Sequence, residues 1–320
     1  MGYRTYKLVP AENRVDFQSS VEVGENRLEN SFFKIILDPK TGAIEKIYDK
    51  LKRIDISNRV LKDSTPLLEI YFAFPFSVEE PTFKFEGSNS VIEPLFDQFE
   101  GANTDAYAVQ HWVDVSKGDF GVTLSSIEAP VVEFSSVSDA HRGVTPPRFE
   151  HEFPKHGELK RGHLYSYVMV NNFRTNFQPV QVGDVLFRYS IRTHSGDWKE
   201  GKARDFGWAF SNPLIPVCMN GRKDGILPTS ISFCRVDRPN VLILTLKRAE
   251  DKNGFIFRLI ETEGKDTTAT LEIPFLTISQ AYQTNLVEEN ERILTHGLHD
   301  VKISLNGFGI LTLRVISERI

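Results

Sequence analysis

From Val241 to Val315 the chain repeats one device: a short run of β-branched, aromatic and aliphatic residues, then a turn signal, then another run. VLILTL (Val241–Leu246), FIFRLI (Phe255–Ile260), TATLEI (Thr268–Ile273), VKISL (Val301–Leu305) and ILTLRV (Ile310–Val315) are five strand candidates within about eighty residues. Asp251-Lys252-Asn253-Gly254 and Asn306-Gly307 supply the left-handed turn positions between them. Regular strand and turn spacing of this kind specifies a small β-sandwich. Asp237-Arg238-Pro239-Asn240 ahead of it forms a natural hinge, so the sequence predicts a domain boundary near Arg238, dividing 1–238 from 239–320.

The longer N-terminal part has the same rhythm, less cleanly. Tyr3–Val9, Ser19–Glu25, Leu28–Leu37, Thr82–Glu86, Val109–Val115, Phe120–Ser125, Val131–Phe134, Leu164–Val170 and Val185–Ile191 read as extended. Asp38-Pro39-Lys40-Thr41-Gly42 followed by AIEKIY is a hairpin signal, because Pro presets one turn dihedral and Gly supplies the positive φ. Leu67–Phe76 is the most apolar run, yet Pro75 argues against a central strand continuing through it. Asp49–Thr65 is polar and basic and is expected to be surface, and Asp139–Gly162 is polar and loop-like. The 24 Phe and 9 Tyr accompany many Val, Ile and Thr, and 16 Pro with 21 Gly interrupt any long helical run, so the fold class expected is all-β.

At 320 residues the chain can build two cores. A formal net charge of −5 gives no electrostatic case for nucleic acid or for an anionic membrane. Cys218 and Cys234 could pair if folding brought them together but match no metal spacing, and free, partly buried thiols in a reducing compartment are the simpler reading. No apolar run reaches the length of a membrane span, and the N-terminus lacks the apolar core of a signal peptide, so a soluble cytoplasmic protein is expected.

The stretch richest in chemistry is Gly162–Ile191. Between its two strand runs, Asn171, Asn172, Arg174, Thr175 and Asn176 set amides, a guanidinium and a hydroxyl beside Phe173 and Phe177. Neutral donors and acceptors among flat apolar rings suit a sugar, with hydroxyls at its edges and C–H groups on its faces. An ordinary connection whose Asn side chains bond their own backbone is the simpler reading. Trp112, between His111 and Asp114 and downstream of Asp97 and Gln98, could face one pocket; a buried Trp beside a solvated Asp fits equally. His141, His151, His156 and His163 cluster, but their spacings match no metal motif, and solvated loop histidines are the default. Asp197–Ser211 brings charge, Gly and two Trp together.

A retaining glycosidase needs two carboxylates about 5–5.5 Å apart. Asp97 with Asp114, and Glu261 with Glu263, are candidate pairs; the latter share a strand face beside Gly264, where solvent exposure is expected. There is no nucleophile elbow, Cys–His signature or phosphate loop, and Gly307-Phe308-Gly309 precedes a strand rather than a helix.

GYRTYKL, LDPKTGAIEKIYDK, FAFPF, VQHWVDVSKGDFGVTL, VNNFRTNF and LKRAEDKNGFIFRLIETEG with TNLVEEN and ILTLRV, taken in this order, resemble the C-terminal β-region of glycoside hydrolase family 38, the α-mannosidases. The resemblance implies a large supersandwich similar to the galactose-mutarotase fold followed by a smaller terminal β-sandwich. It also implies that zinc and the nucleophilic Asp belong to an N-terminal α/β domain which no stretch here matches. No catalytic residue and no metal ligand is therefore carried over, no cofactor is expected in this chain, and the catalytic domain is expected in the full-length protein or in a separate chain. In the family, β-region loops reach the rim of the sugar pocket. Asn171, Asn172, Arg174, Thr175 and Asn176 are the rim candidates, with Trp112 and Asp97 added.

Three functions follow from these residues. The first is a non-catalytic supporting and rim region for α-mannoside hydrolysis, which predicts bare apolar surface. The second is a free-standing carbohydrate-binding module. The third is a mutarotase- or epimerase-like sugar enzyme, which requires a His and a carboxylate converging in one concave pocket. Oligomeric state is left open, a homo-oligomer included.

Overall fold

The computed structural model describes residues 2–4, 22–29, 33–40, 44–49, 53–66, 68–137, 159–171, 180–217, 228 and 230–317. Two compact units emerge. One comprises residues 1–14, 89–91 and 216–320; the other comprises 15–88 and 92–215. Both are built of antiparallel sheet, as the composition predicts.

Gly2–Arg4 (β1) pairs with Ser230–Ser232, so the N-terminal strand belongs to the unit that contains the C-terminal sandwich. Glu22–Gly24 (β2), Arg27–Glu29 (β3), Phe33–Leu37 (β4) and Ile44–Asp49 (β5) form a four-stranded meander. The run expected as one strand over Leu28–Leu37 is thus two, β3 and β4. The hairpin expected at Asp38 is present: Asp38 Oδ1 accepts the Lys40 N–H at 2.8 Å and Leu37 pairs with Ile44.

The larger unit is a sandwich. Its strands are Ile54–Lys62 (β6), Glu69–Glu79 (β7), Thr82–Gly87 (β8), Tyr107–Ala108 (β10), Val113–Lys117 (β11), Phe120–Ser126 (β12), Val131–Phe134 (β13), Arg161–Val170 (β14) and Gly183–His194 (β15); residues 90 and 91 of the short strand Ser90–Ile92 (β9) belong to the other unit. One sheet runs β10-β13-β14-β7, and in the other five strands run β6-β15-β12-β11-β8. Alternation drives the packing: Phe72, Phe74 and Phe76 of β7 point inward while Ala73 and Pro75 are exposed. Phe72 meets Phe187 edge-on at 5.7 Å, Phe74 meets Tyr189 at 4.9 Å, and Phe83 meets Phe134 at 5.0 Å, stitching the two sheets together.

Pro75 lies inside β7 after all, and β7 is an edge strand, where a missing N–H leaves no ladder bond unmade. Asp49–Thr65, expected as polar surface, contains the nine-residue β6. Its alternate residues are exposed, and it pairs residue by residue with β15 from Ile54–Ile191 to Lys62–Gly183. Asp197–Ser211 contains the helix Ala203–Ser211 (α1), an element with no counterpart among the strands expected from the sequence.

In the smaller unit, Ser230–Ser232 (β16) and Arg235–Val236 (β17) precede Val241–Arg248 (β18), Phe255–Glu261 (β19), Thr267–Glu272 (β20), Ile278–Thr284 (β21), Asn290–Ile293 (β22), Asp300–Leu305 (β23) and Ile310–Ser317 (β24). Sheets β18-β19-β24-β21-β22 and β17-β20-β23 enclose a core of Phe257, Leu259, Leu271, Ile303 and Leu313. All five expected strands are there, and β21 and β22 are additional. Cys234 already belongs to this core, ahead of Arg238.

Candidate functional site

The Asn-rich segment leaves β14 where Val170 pairs with Glu69 of β7. Asn171 is buried, and its amide serves the neighbouring chain: Oδ1 accepts the Leu68 N–H at 2.7 Å and Nδ2 donates to Thr65 O at 2.8 Å. Asn172, Arg174, Thr175 and Asn176 lie outside the described residues, as do His141, His151 and His156. Asp97 is exposed and accepts the Glu93 N–H at 2.7 Å, closing a local turn. His163 is half-buried, its Nδ1 3.3 Å from the Tyr165 hydroxyl.

Beside the start of that segment, Tyr71 of β7 and Tyr167 of β14 stand opposite each other on the outward sheet face, stacked at 4.5 Å with an interplanar angle of 8°. The Tyr71 hydroxyl donates to the buried Glu133 carboxylate at 2.9 Å. Burial, and then the Glu133 carboxylate, push the Tyr71 hydroxyl far above the ordinary tyrosine range, so it remains a donor at any physiological pH. Burial and the charge of Glu69 act the same way on Tyr167.

Trp112 and Asp114 sit elsewhere, on the outward face of the sheet that carries β11. Asp114 is paired with Thr123 of β12, which is paired with Arg192 of β15, placing a row of polar side chains across three strands. Asp114 is buried and not solvated: its Oδ2 accepts Thr123 Oγ1 at 2.8 Å and lies 2.7 Å from His194 Nε2. Residues 195–211 cross over this row. Trp198 stacks on Trp112 at 5.3 Å, and Arg192 lies 4.8 Å from the centre of the Phe206 ring. Arg192 Nη2 also donates to the carbonyls of Gly201 and Lys202. Trp208 Nε1 donates to Glu86 Oε1 at 2.8 Å, while Glu86 Oε2 lies 2.8 Å from His111 Nδ1. A His and a carboxylate therefore do converge at His194–Asp114, but beneath a covering segment and out of reach of a substrate.

The acid pair at Glu261 and Glu263 is the reverse of what the sequence suggested. Glu261 is buried, not solvent-exposed, and takes five hydrogen bonds: Asn240 Nδ2 and the Glu263 N–H on Oε1, and the N–H groups of Gly264, Lys265 and Phe308 on Oε2, at 2.8–3.1 Å. Burial by itself would raise this carboxyl; the Phe308 N–H, the Asn240 amide and the other backbone donors outweigh it and hold the pKa below the usual glutamate value. Glu263 instead pairs with Lys265 at 2.9 Å. The sequence signal for Glu261 was present but misread: a strand end running into a Gly-containing turn is a place where consecutive N–H groups converge on an anion.

Near the inner side of Trp112, a cavity of about 10 Å³ is lined by Val113, Leu124, Ser126, Ser166 and Tyr189, which is room for one water. Large apolar side chains are bare on both units: Leu214 is 97% and Ile215 86% exposed on one, and Val287 and Ile293 are exposed on the other.

Residues 240–313 match the family model described as the glycosyl hydrolases family 38 C-terminal beta sandwich domain. Alpha-mannosidase G of Dictyostelium discoideum is 23% identical over 212 residues, which are 65% of this chain and 17% of that protein. An alpha-mannosidase from Enterococcus faecalis V583 superimposes with a TM-score of 0.59 at 13% identity, covering 93% of this chain and 43% of its own. A second Enterococcus faecalis structure, of a protein in the glycosyl hydrolase family 38, gives 0.58 at 12% identity over 93% of this chain and 45% of its own. The present chain thus spans less than half the length of these relatives.

Proposed function

Since this chain carries a C-terminal β-region of glycoside hydrolase family 38, we propose that it works as a non-catalytic part of an α-mannosidase-like enzyme. In this reading it supports a catalytic domain, in the same full-length protein or a separate chain, and its Asn-rich segment lines the rim of the α-mannoside pocket. The match over residues 240–313 carries the proposal and supports a terminal sandwich at 239–320; a supersandwich at 1–238 ahead of it is part of the same proposal. The bare apolar side chains at Leu214 and Ile215 on one unit, and at Val287 and Ile293 on the other, support the presence of apolar surface for a partner to cover. Cytoplasmic location is part of the same proposal.

Zinc, implied for the family's catalytic domain, does not fit the donors described in this chain. No three His, Cys, Asp or Glu side chains come together among the described residues, and His194 already spends Nε2 on Asp114. No step of the reaction is assigned to these residues. The test is hydrolysis of an aryl α-mannoside with zinc or cobalt, by the chain alone and by the chain mixed with a family 38 catalytic domain. We expect no turnover alone and turnover in the mixture; activity of the chain by itself would overturn the reading.

A second reading, a carbohydrate-binding module, is favoured by one observation: the stacked Tyr71–Tyr167 pair stands where the Asn-rich segment leaves its strand. Calorimetry with mannose and mannobiose separates the two, because the module must release or take up heat at millimolar sugar without a partner.

A further inference from the structure

We propose that Ser195–Ser211 is a pH-gated strap, held on the sheet by the imidazolium of His194 and loosened when that ring gives up a proton. Both ring nitrogens of His194 face acceptors: Nε2 faces Asp114 Oδ2 at 2.7 Å and Nδ1 faces the Ser195 carbonyl at 3.3 Å. Only the imidazolium carries an N–H on each nitrogen; a neutral ring must turn one lone pair toward an oxygen.

The ring is also a mechanical link between strap and sheet, beside the Trp198–Trp112 stack, the Arg192 bonds to Gly201 and Lys202, and the Trp208 bond to Glu86. A Cβ at Gly121 of β12 would come within 2.2 Å of its Cε1, and a Cβ at Gly201 of the strap within 2.4 Å of its Cγ. The imidazole is therefore sandwiched between the two backbones. Asp114 Oδ1 has no hydrogen-bond partner among the described residues, so Thr123 and His194 on Oδ2 are what compensates this buried carboxylate.

The charged surroundings have mixed sign. Arg192, on the same strand as His194, opposes the imidazolium; it is itself drawn to Asp205 of α1 and to Asp114. Lys199 in the strap lies over the Trp198 ring and Glu200 lies against Gly196, while Glu86 of β8 and His111 face Trp208. Burial works against the charged ring, but the hydrogen bond and charge of Asp114 prevail and raise its pKa above the ordinary 6.5. The sign follows. The contribution is complete below about pH 6.5 and is lost as pH rises through the higher folded value.

All three tryptophans of the chain, Trp112, Trp198 and Trp208, lie at this interface, so their emission reads the strap directly. The experiment follows emission and amide protection factors of the full chain from about pH 6 to about pH 9. We expect a red shift and at least a roughly tenfold loss of protection over residues 201–211, with the amides of β11 and β12 unchanged. His194→Gln, which cannot titrate, should show neither change. Flat emission and flat strap protection in the wild type would overturn the proposal, as would loss of protection shared by the sheet, or an unchanged transition in His194→Gln. If that variant does not fold, the NMR titration of His194 in the wild type and in Asp114→Asn decides. The proposal requires a wild-type midpoint above 6.5 that falls when the Asp114 charge is removed; a midpoint at or below 6.5 rejects it.

Discussion

Glu261 shows how a buried charge can be a structural asset. Its five donors are mostly backbone N–H groups of the two turns that meet there, so the carboxylate closes both turns at once. Glu261→Gln keeps one acceptor but turns amide hydrogens toward the N–H donors that the other carboxylate oxygen now accepts. We expect a loss of about 2–4 kcal/mol at neutral pH, read from urea midpoints. The pH dependence has a definite sign. Because the folded-state pKa is depressed, the stabilisation is complete above the ordinary value of 4.5 and disappears as pH falls through the lower folded value. Wild type and Glu261→Gln should therefore converge in stability under acid; a gap that stays constant down to about pH 3 would rule out the carboxylate as its source.

At the level of elements, α1 is the informative case. It has no side-chain cap: Lys202 at its N-cap is left-handed, with φ 51°, and no Ser, Thr, Asp or Asn announces the start. With Gly207 in its middle, ARDFGWAFS lacks the usual helix signals, and that is why it read only as a convergence of charge and Trp. The glycine is there for contact. A Cβ at position 207 would lie 2.7 Å from both His111 O and Trp112 Cβ. Helix propensity alone makes Gly→Ala worth up to about 1 kcal/mol in favour. Here backbone blocks the methyl, so Gly207→Ala should destabilise by about 1–3 kcal/mol in thermal melts. A gain in stability would mean that the helix stands off the sheet.

The same contrast explains which strands were legible. β19 and β24 are apolar on successive residues because they lie inside a sheet covered by a core, and they could be read directly. β6 gives no such signal, because its outward residues Asp55, Ser57 and Arg59 are spent on cross-strand and solvent contacts, such as Arg59 with Asp184 and Asp55 with Ser190. β22 is exposed along its whole length, so it offers no pattern at all. Pro75 is incompatible with a central strand, and β7 satisfies that by being an edge. Side-chain roles are harder to read than strands, since Asn171 and Trp112 look like ligands in sequence but are buried in the fold, Asn171 by bonding the neighbouring chain and Trp112 by the segment that covers its sheet face.

At the scale of the molecule, two separate cores make a strong statement about unfolding. One is centred on Phe74, Phe85, Leu164 and Tyr189, the other on Phe257, Leu271, Ile303 and Leu313, and each is enclosed by its own pair of sheets. Two-state behaviour is expected of a single core, so the full chain should melt in two calorimetric steps rather than one. The two substitutions assign them. Glu261 belongs to the unit with the C-terminal sandwich, and Gly207 to the other. Glu261→Gln should lower one step by on the order of 10 °C and leave the other in place; Gly207→Ala should do the converse, by about 5 °C because its unit is larger. In the double variant the two shifts should be independent, since residues in different cores share no partners. A single transition that moves with both substitutions would show instead that the two cores are thermodynamically one, and the strap that contains α1 would then have to be treated as coupled to the stability of the entire chain.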